Sequence, residues 1–426
     1  MDTLSTGSSM VEESWRSGLG RKEHCSLSGR QRDERGHVSQ EGHGTLEQKV
    51  RSIAFVLPAL GYGGMETVFL TIASALASEG WYCQVLPQVI VDDKALERIP
   101  SNVRLVKPIL HLSDLKHSHL IHQVLALRRQ LDTAKAGVVV SAYERTNAVT
   151  GFALSLRPLR HRPKWILTVN SDPMRYLSGN RAAGTIKRFL LRVSCRNADD
   201  AVADSPTMAQ KATLVYRHSF SIIPNAVAPP ASDDSVRVDL LPFCDDGHPV
   251  AVYVGRLVKD KRVDDLIHAV SMLGRNSRVR LLVIGDGEDR ERLVHITHEL
   301  GLSGSTFFSG FVVCPWPYLR QLQNAVLVLP SVSEGFGMVL AEAMSSGIPV
   351  ISSSFDGVQD LLTDDYNGML VPIGDVKALS RAITLVTTDR ERATRLATNG
   401  LASVKRFDLA VVLRIWLEHL DGLRST

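Results

Sequence analysis

Short β-branched apolar runs alternate with stretches of helical spacing from residue 51 onward. The alternation comes in two series, and a polar stretch rich in Ala, Pro and Asp divides them. These features predict an α/β fold of two Rossmann-like domains facing each other across a cleft. In the first series Ser52 to Leu57 reads as a strand, Met65 to Ser78 as a helix with Val68, Ile72, Ala75 and Leu76 on one face, and Cys83 to Val91 as a strand again. Further strands are expected at Val103 to Val106, Gly137 to Ser141, Trp165 to Val169, Asp200 to Ala203 and Ser221 to Ile223. Apolar runs with helices between them indicate parallel sheets covered on both faces. The stretch Ala226 to His248 reads as an interdomain linker. After it, strands are expected near 250, 281, 306, 325 and 350. The expected organisation is a tail over 1–47, a first domain over 48–228, a second over 229–405 and a closing segment over 406–426.

Composition agrees with this division. A chain of 426 residues, 44% of them hydrophobic, has material for two cores. The net charge of +4 is small for this length, and no nucleic-acid partner is expected. Cysteines at 25, 83, 195, 244 and 314 form no C-x-x-C pair and no metal-ligand spacing, which fits reduced thiols in a cytoplasmic protein. The first 47 residues hold seven glycines and eight serines with almost no apolar periodicity, so they are expected to be disordered, and they lack the apolar core of a signal peptide. No apolar stretch approaches the roughly 18 residues that cross a bilayer.

The most informative segment is Ser331 to Gly347, SVSEGFGMVLAEAMSSG. It follows an apolar run, Ala325 to Leu329, and is expected to turn at that strand's carboxyl end into a helix whose first turn is Gly335, Phe336 and Gly337. Ligands of open α/β sheets sit in that crevice, and helix-start amides favour phosphate. Glu334 and Glu342 stand eight residues apart, roughly 12 Å along a helix at about 1.5 Å per residue. That is the reach of a nucleoside diphosphate sugar, with Glu334 on the sugar hydroxyls, Glu342 on the ribose diol and the phosphates on the amides between, through Met338 and Val339. On residue chemistry alone an equally good reading makes Glu334 a first-turn carboxylate favoured by the helix dipole and Glu342 a solvated helix residue.

Two further loops carry chemistry. VAVYVGRLVKDKRVDDLIHA, Val250 to Ala269, delivers Arg256 and Lys261 to another strand end, where a guanidinium and an ammonium can neutralise a diphosphate; ordinary surface charge is the alternative. LGYGGME, Leu60 to Glu66, places Gly63 and Gly64 at a helix start, with amides available to an anion. As dinucleotide fingerprints this loop and GDGEDR at Gly285 both fail at their third position, occupied by Glu66 and Arg290.

These motifs resemble the family 4 retaining glycosyltransferases of GT-B fold. That family carries E-G-F-G-x-x-x-x-E after a P-S strand end, then A-x-x-x-G-x-P-V, and this chain matches with Pro330, Ser331, Glu334, Gly335, Phe336, Gly337, Glu342, Ala343, Gly347, Pro349 and Val350. It also has the family's G-R-L-x-x-x-K-G, with Arg262 in place of the last glycine, and its G-G-x-E at Gly63 to Glu66. The resemblance implies a hexosyltransferase whose second domain binds a nucleotide-sugar donor and whose first binds a saccharide or lipid-linked acceptor. It implies a C-terminal helix, Leu409 to Leu420, crossing back to the first domain. It gives Arg256 and Lys261 the donor diphosphate, Glu334 the donor sugar, and the Gly310 and Phe311 segment the base. Where members often place a histidine near the sugar, TVNSDP has Asn170, which cannot carry a proton; Asp172 is the alternative carboxylate, and a plain turn before Pro173 is equally consistent.

No D-x-D triplet occurs, so no metal and no cofactor are expected, and transfer is expected to retain anomeric configuration. The expected role is surface polysaccharide or glycolipid synthesis, in the cytoplasm or at the inner face of the cytoplasmic membrane. A GT-B phosphorylase or sugar-nucleotide epimerase, and a catalytically silent nucleotide-sugar binding module, are the alternatives. Between Gly151 and Arg196 stand ten Lys or Arg and one Asp. Within it RAAGTIKRFLLRVSCR aligns Ile186, Phe189, Leu190 and Val193 on one helical face, which suits either an anionic membrane surface or the protein core.

Overall fold

The computed structural model describes residues 51–425 apart from 62, 111–119, 159–160, 179–180, 228–246, 275–276, 313 and 323. The expected tail and most of the expected linker lie outside the described residues. Among those described, two parallel sheets of seven and six strands are layered with helices, the GT-B architecture.

The first sheet contains β1 (Ser52–Leu57), β2 (Tyr82–Pro87), β3 (Arg104–Leu105), β4 (Val138–Ala142), β5 (Lys164–Val169), β6 (Asp200–Ala203) and β7 (Ser221–Ile222), in the order β3-β2-β1-β4-β5-β6-β7. Its helices are α1 (Gly64–Ser78), α2 (Leu120–Ala134), α3 (Glu144–Ser155), α4 (Pro173–Tyr176), α5 (Arg181–Cys195) and α6 (Pro206–Tyr216). The second sheet contains β8 (Val250–Val254), β9 (Arg280–Ile284), β10 (Thr306–Gly310), β11 (Ala325–Leu329), β12 (Val350–Ser353) and β13 (Met369–Val371), in the order β10-β9-β8-β11-β12-β13. Its helices are α7 (Val263–Ser271), α8 (Arg290–Glu299), α9 (Trp316–Leu319), α10 (Met338–Ser345), α11 (Val376–Thr388) and α12 (Arg390–Val404), and α13 (Leu409–Ser425) follows.

Strand burial explains why the runs are apolar without alternation. Ile53, Phe55 and Leu57 of β1 pack on one face with residues of α1, while Ala54 and Val56 pack on the other with Leu127 and Leu131 of α2 and Leu154 of α3. A central parallel strand has no solvent face. The expected strand Cys83 to Val91 stops at Pro87, where proline cannot donate to a ladder, and a single bridge pairs Leu60 with Ile90 beyond it. Strand β13 leaves no signature in the sequence, because three residues at a sheet edge are too short to show a period.

Helix α13 joins the first domain's core. Val412, Trp416, Leu420 and Leu423 are buried in the cluster that contains Ile53 and Phe55, and the Val227 N–H donates to the Phe407 carbonyl at 2.8 Å where the chain returns. Among the described residues, polar bridges also join the halves: Arg175 to Asp260 at 2.5 Å, Lys211 to Asp356 at 3.0 Å, and the Thr207 N–H to the Asp360 carboxylate at 3.0 Å. Partly exposed pairs of this kind add about 0–1 kcal/mol each, so the apolar seat of α13 dominates the non-covalent contact that brings the end of the chain back to the first domain.

Trp416→Ala should therefore cost about 3–5 kcal/mol, read from the urea transition of the first domain, and Trp416→Phe clearly less. An unchanged transition in the alanine variant would mean that α13 contributes nothing to that core.

Candidate functional site

In each sheet the strand order turns back on itself beside the first strand: at β1 and β4 in one, at β8 and β11 in the other. Crossovers leaving such a pair go to opposite faces, and the loops at the strands' carboxyl ends part to leave a crevice. The loop after β8 carries Arg256 and Lys261, and the loop after β11 carries Glu334 to Gly337. The site residues of the second domain thus gather at its topological switch point.

Close backbone packing fixes these loops. A Cβ at Gly285 would lie 1.8 Å from the Gly255 carbonyl oxygen, and one at Gly287 would lie 2.3 Å from that of Leu257, so the glycines after β9 seat the Arg256 loop. The buried Tyr253 hydroxyl donates to the Arg256 carbonyl at 2.8 Å. The Val332 N–H donates to the Asp260 carbonyl at 3.0 Å and ties the two loops together. Arg262 stands where the resembled motif has glycine, and its φ of +49° is the left-handed conformation that glycine adopts without strain. Here the bidentate pair to Asp265, at 2.5 and 2.9 Å, holds the arginine in that conformation.

Lys261 Nζ meets Glu334 Oε1 at 2.6 Å, both side chains largely shielded at 17% and 15% exposure. Arg256 projects outward from the same loop, within electrostatic reach of Glu66 on α1. Gly335 touches the opposite wall: a Cβ there would lie 2.3 Å from the Asn170 carbonyl oxygen. Gly64 lies beside Met338, at an added-Cβ distance of 4.0 Å, so the first glycine loop faces the start of α10 across the cleft. Gly63 is the residue before α1, and a Cβ on it would collide with the Glu66 carboxylate.

Three expectations are corrected. The helix does not begin at Gly335: α10 starts at Met338, and Gly337 precedes it with φ +79° and ψ +47°, a left-handed kink that keeps 335–337 out of the helix. Glu334 therefore sits on a loop, and the two glutamates do not measure a distance along one helix. The Phe336 side chain is a packing residue, 5% exposed and edge-on to Phe407 at 4.9 Å between centroids, which leaves its backbone as the part that could meet a ligand. Asp172 caps α4 by accepting from the Met174 N–H at 2.9 Å and pairs with Lys211 at 2.6 Å, which is the turn reading and not a free carboxylate. Asn170 is nearer the site, its Oδ1 accepting from the Thr168 hydroxyl at 2.7 Å. Met338 and Val339 are half-buried, and as the first residues of α10 their amides have no intrahelical acceptor.

Glu342 is shielded, not solvated. Burial pushes its carboxyl up to about 7, opposed by a hydrogen bond from the Trp316 indole. Trp316 carries no signal in the sequence, because α9 is a single turn with no motif. The first domain adds buried carboxylates at its own strand ends: Glu66, Glu144 and Asp204. Burial raises all three, Glu144 and Asp204 to about 7, and Glu66 Oε2 has no hydrogen-bond partner. Glu144 accepts from the Ser171 hydroxyl at 3.0 Å, next to Asn170, and the preceding Tyr143 is held at φ +69°, a strained value for a bulky residue. Glu66 was visible inside G-G-x-E; Tyr143 and Glu144 carry no signal until β4 and β5 are paired.

Comparison with known proteins agrees with this fold. Residues 243–402 match the family model "Glycosyl transferases group 1" and residues 62–229 match "Glycosyltransferase Family 4", which together cover most of the chain. The lipopolysaccharide core biosynthesis glycosyltransferase LpsE of Rhizobium meliloti is 32% identical over 208 residues, 48% of this chain and 58% of that protein. This chain therefore spans little more than half of that relative. The "GalNAc-alpha-(1->4)-GalNAc-alpha-(1->3)-diNAcBac-PP-undecaprenol alpha-1,4-N-acetyl-D-galactosaminyltransferase" of Campylobacter jejuni is 26% identical over 88% of this chain and 99% of its own. Among solved structures, HepE of Anabaena in complex with UDP and glucose superposes with a TM-score of 0.69 at 20% identity, over 87% of this chain and all of that one.

Two measurements test the geometry. Gly335→Ala should leave the protein folded but lower activity about tenfold or more, because a methyl group at that point pushes the two walls apart; full activity would show that the contact with Asn170 is dispensable. A nucleoside diphosphate sugar has no phosphate titrating near neutrality, and a ribose diol held by Glu342, the role the motif resemblance implies, would need that carboxyl ionised. Donor affinity should therefore rise about tenfold between pH 6 and 8 as Glu342 ionises around 7, and Glu342→Gln should flatten the profile.

Proposed function

The chain belongs to the family 4 glycosyltransferases of GT-B fold, and from that premise we propose a retaining, metal-independent hexosyltransferase. It moves a hexose from a nucleoside diphosphate sugar to a saccharide or lipid-linked acceptor, in surface polysaccharide or glycolipid synthesis. The observation that carries this reading is the Lys261–Glu334 pair beside Arg256 at the switch point of the second sheet. The names of the Rhizobium and Campylobacter relatives support the class of acceptor.

The proposed mechanism follows from the pair. Donor diphosphate competes with Glu334 for the Lys261 ammonium, and the more highly charged phosphates win. Glu334 is then released to accept hydrogen bonds from hydroxyls of the sugar. As the glycosidic C–O bond lengthens, negative charge grows on the departing phosphate, and Arg256, Lys261 and the first amides of α10 stabilise it. Glu342 holds the ribose and so fixes the anomeric carbon relative to Asn170. No carboxylate from the Asn170 to Asp172 turn is offered for general-base catalysis: Asn170 does not ionise and Asp172 is committed to Lys211. The leaving phosphate oxygen takes the acceptor hydroxyl's proton on the face it vacates, and configuration is retained.

Expected outcomes are direct. Arg256→Ala and Lys261→Ala should each lower kcat/KM on the order of 10²- to 10³-fold for transfer or donor hydrolysis, tested across a panel of nucleotide sugars. Activity should persist in EDTA, and NMR of the first product should show the donor's anomeric configuration. Wild-type rates in both alanine variants, or loss of turnover on chelation, would overturn the proposal.

A further inference from the structure

We infer that Arg175 and Lys211 are positioning residues of the first domain, whose pairs with Asp260 and Asp356 of the second set the Arg256–Lys261 loop in register with the Asn170 wall. Arg175 reaches Asp260 at 2.5 Å and Lys211 reaches Asp356 at 3.0 Å. A third contact, from the Thr207 N–H to the Asp360 carboxylate at 3.0 Å, puts an acid at the start of α6, where the helix dipole favours it. These three acids belong to the second domain and their three donors to the first. Charge divided in this way fixes the register of two surfaces more than it strengthens their contact.

The first domain's half of this clasp is fixed internally. Asp172 caps α4 and pairs with Lys211 at 2.6 Å, the two side chains shielded at 13% and 18% exposure, while Asp356 is 82% exposed. Partial burial opposes the Lys211 charge, but its hydrogen bonds to Asp172 and Asp356 outweigh that and hold the ammonium above its ordinary pKa. The cation is anchored at one carboxylate and offers its remaining protons to the other. Arg175 follows on the same turn, its N–H donating to the Asp172 carbonyl at 3.1 Å. One short stretch thus carries Asn170 at the cleft wall, Asp172 that anchors Lys211, and Arg175 itself.

The second domain's half leads to the residues proposed for the diphosphate. Asp260 immediately precedes Lys261, whose ammonium meets Glu334 at 2.6 Å, and the Asp260 carbonyl accepts from the Val332 N–H on the Glu334 loop. Arg175 therefore holds the point at which both donor loops are tied together. Asp356 and Asp360 lie on the turn after β12, where a Cβ added at Gly357 would lie 3.6 Å from the Thr207 side chain, so the two surfaces touch there. Pairs this exposed are individually weak, which suits a contact that parts when donor enters and product leaves. Small misplacement of reacting groups slows transfer steeply; this consequence rests on the transferase reading, while the placement of the domains does not.

The test joins small-angle X-ray scattering of the full chain to donor hydrolysis over a panel of nucleotide sugars, using Arg175→Gln/Asp356→Asn, which leaves the Lys211–Asp172 pair in place. Without donor, the variant's radius of gyration should exceed that of the wild type; high salt should expand the wild type towards the variant and leave the variant unchanged. Its kcat/KM for donor hydrolysis should fall about tenfold, Arg175→Lys/Asp356→Glu should recover most of that loss, and the urea transition should not move. Wild-type dimensions or a wild-type kcat/KM in the neutral variant overturn the inference. So does an equal loss in the charge-retaining variant, which would make packing and not charge responsible. Expansion of the neutral variant with no hydrolysis by either protein would support the placement of the domains and overturn the transferase reading instead.

Discussion

Everything functional in this molecule depends on one topological constraint: parallel strands whose order reverses beside the first strand of each sheet. A parallel pair cannot close with a hairpin, so each connection crosses over through a helix. At the reversal the two crossovers leave in opposite directions and nothing fills the space between them. In the second sheet that space receives Arg256 and Lys261 from one side and Glu334 to Val339 from the other. In the first sheet it receives the Gly63 loop and the Tyr143–Glu144 turn. The site lies where these two gaps face each other.

Charge in that gap is held in pairs, and burial governs how firmly. Lys261 and Glu334 are shielded enough for their pair to be strong, yet both keep some exposure, as the proposed exchange of the lysine to a diphosphate requires. Deeper in, Glu342 shares the Trp316 hydrogen bond, so a carboxylate that burial alone would neutralise stays within reach of ionisation near pH 7. Glu66, Glu144 and Asp204 show the same tension on the other wall. The glycines answer a different need. At Gly285 and Gly335 backbone oxygens approach too closely for any side chain, so these positions are set by contact between loops and between domains.

Much of this was legible in the sequence. The expected strands starting at Ser52, Asp200, Val250 and Ala325 begin where strands are found, because fully buried parallel strands write their burial as uninterrupted apolar text. Boundaries slipped where local rules compete: Pro87 ended a strand that hydrophobicity alone would have continued, and Gly337 delayed a helix that the motif's spacing would have started earlier. The basic helix was ambiguous for a plain reason. An amphipathic pattern states that a face is apolar without saying what meets it, and only the packing of Leu191 and Cys195 turned Ile186 and Phe189 outward.

The sequence by itself determined the alternation of elements, the division into two sheets, and the identity of Arg256, Lys261, Glu334 and Glu342, since these depend on local periodicity and on short motifs carried by single loops. Tertiary structure decided the pairing of Lys261 with Glu334, 73 residues apart, the contact of Gly335 with Asn170, the Trp316 partner of Glu342, the packing of Phe336 on Phe407 and the pairing of Asp172 with Lys211. Each of these is set by the distance between groups remote in the chain. Local pattern carries no information about such a distance until parallel pairing and domain closure have brought the strand ends together.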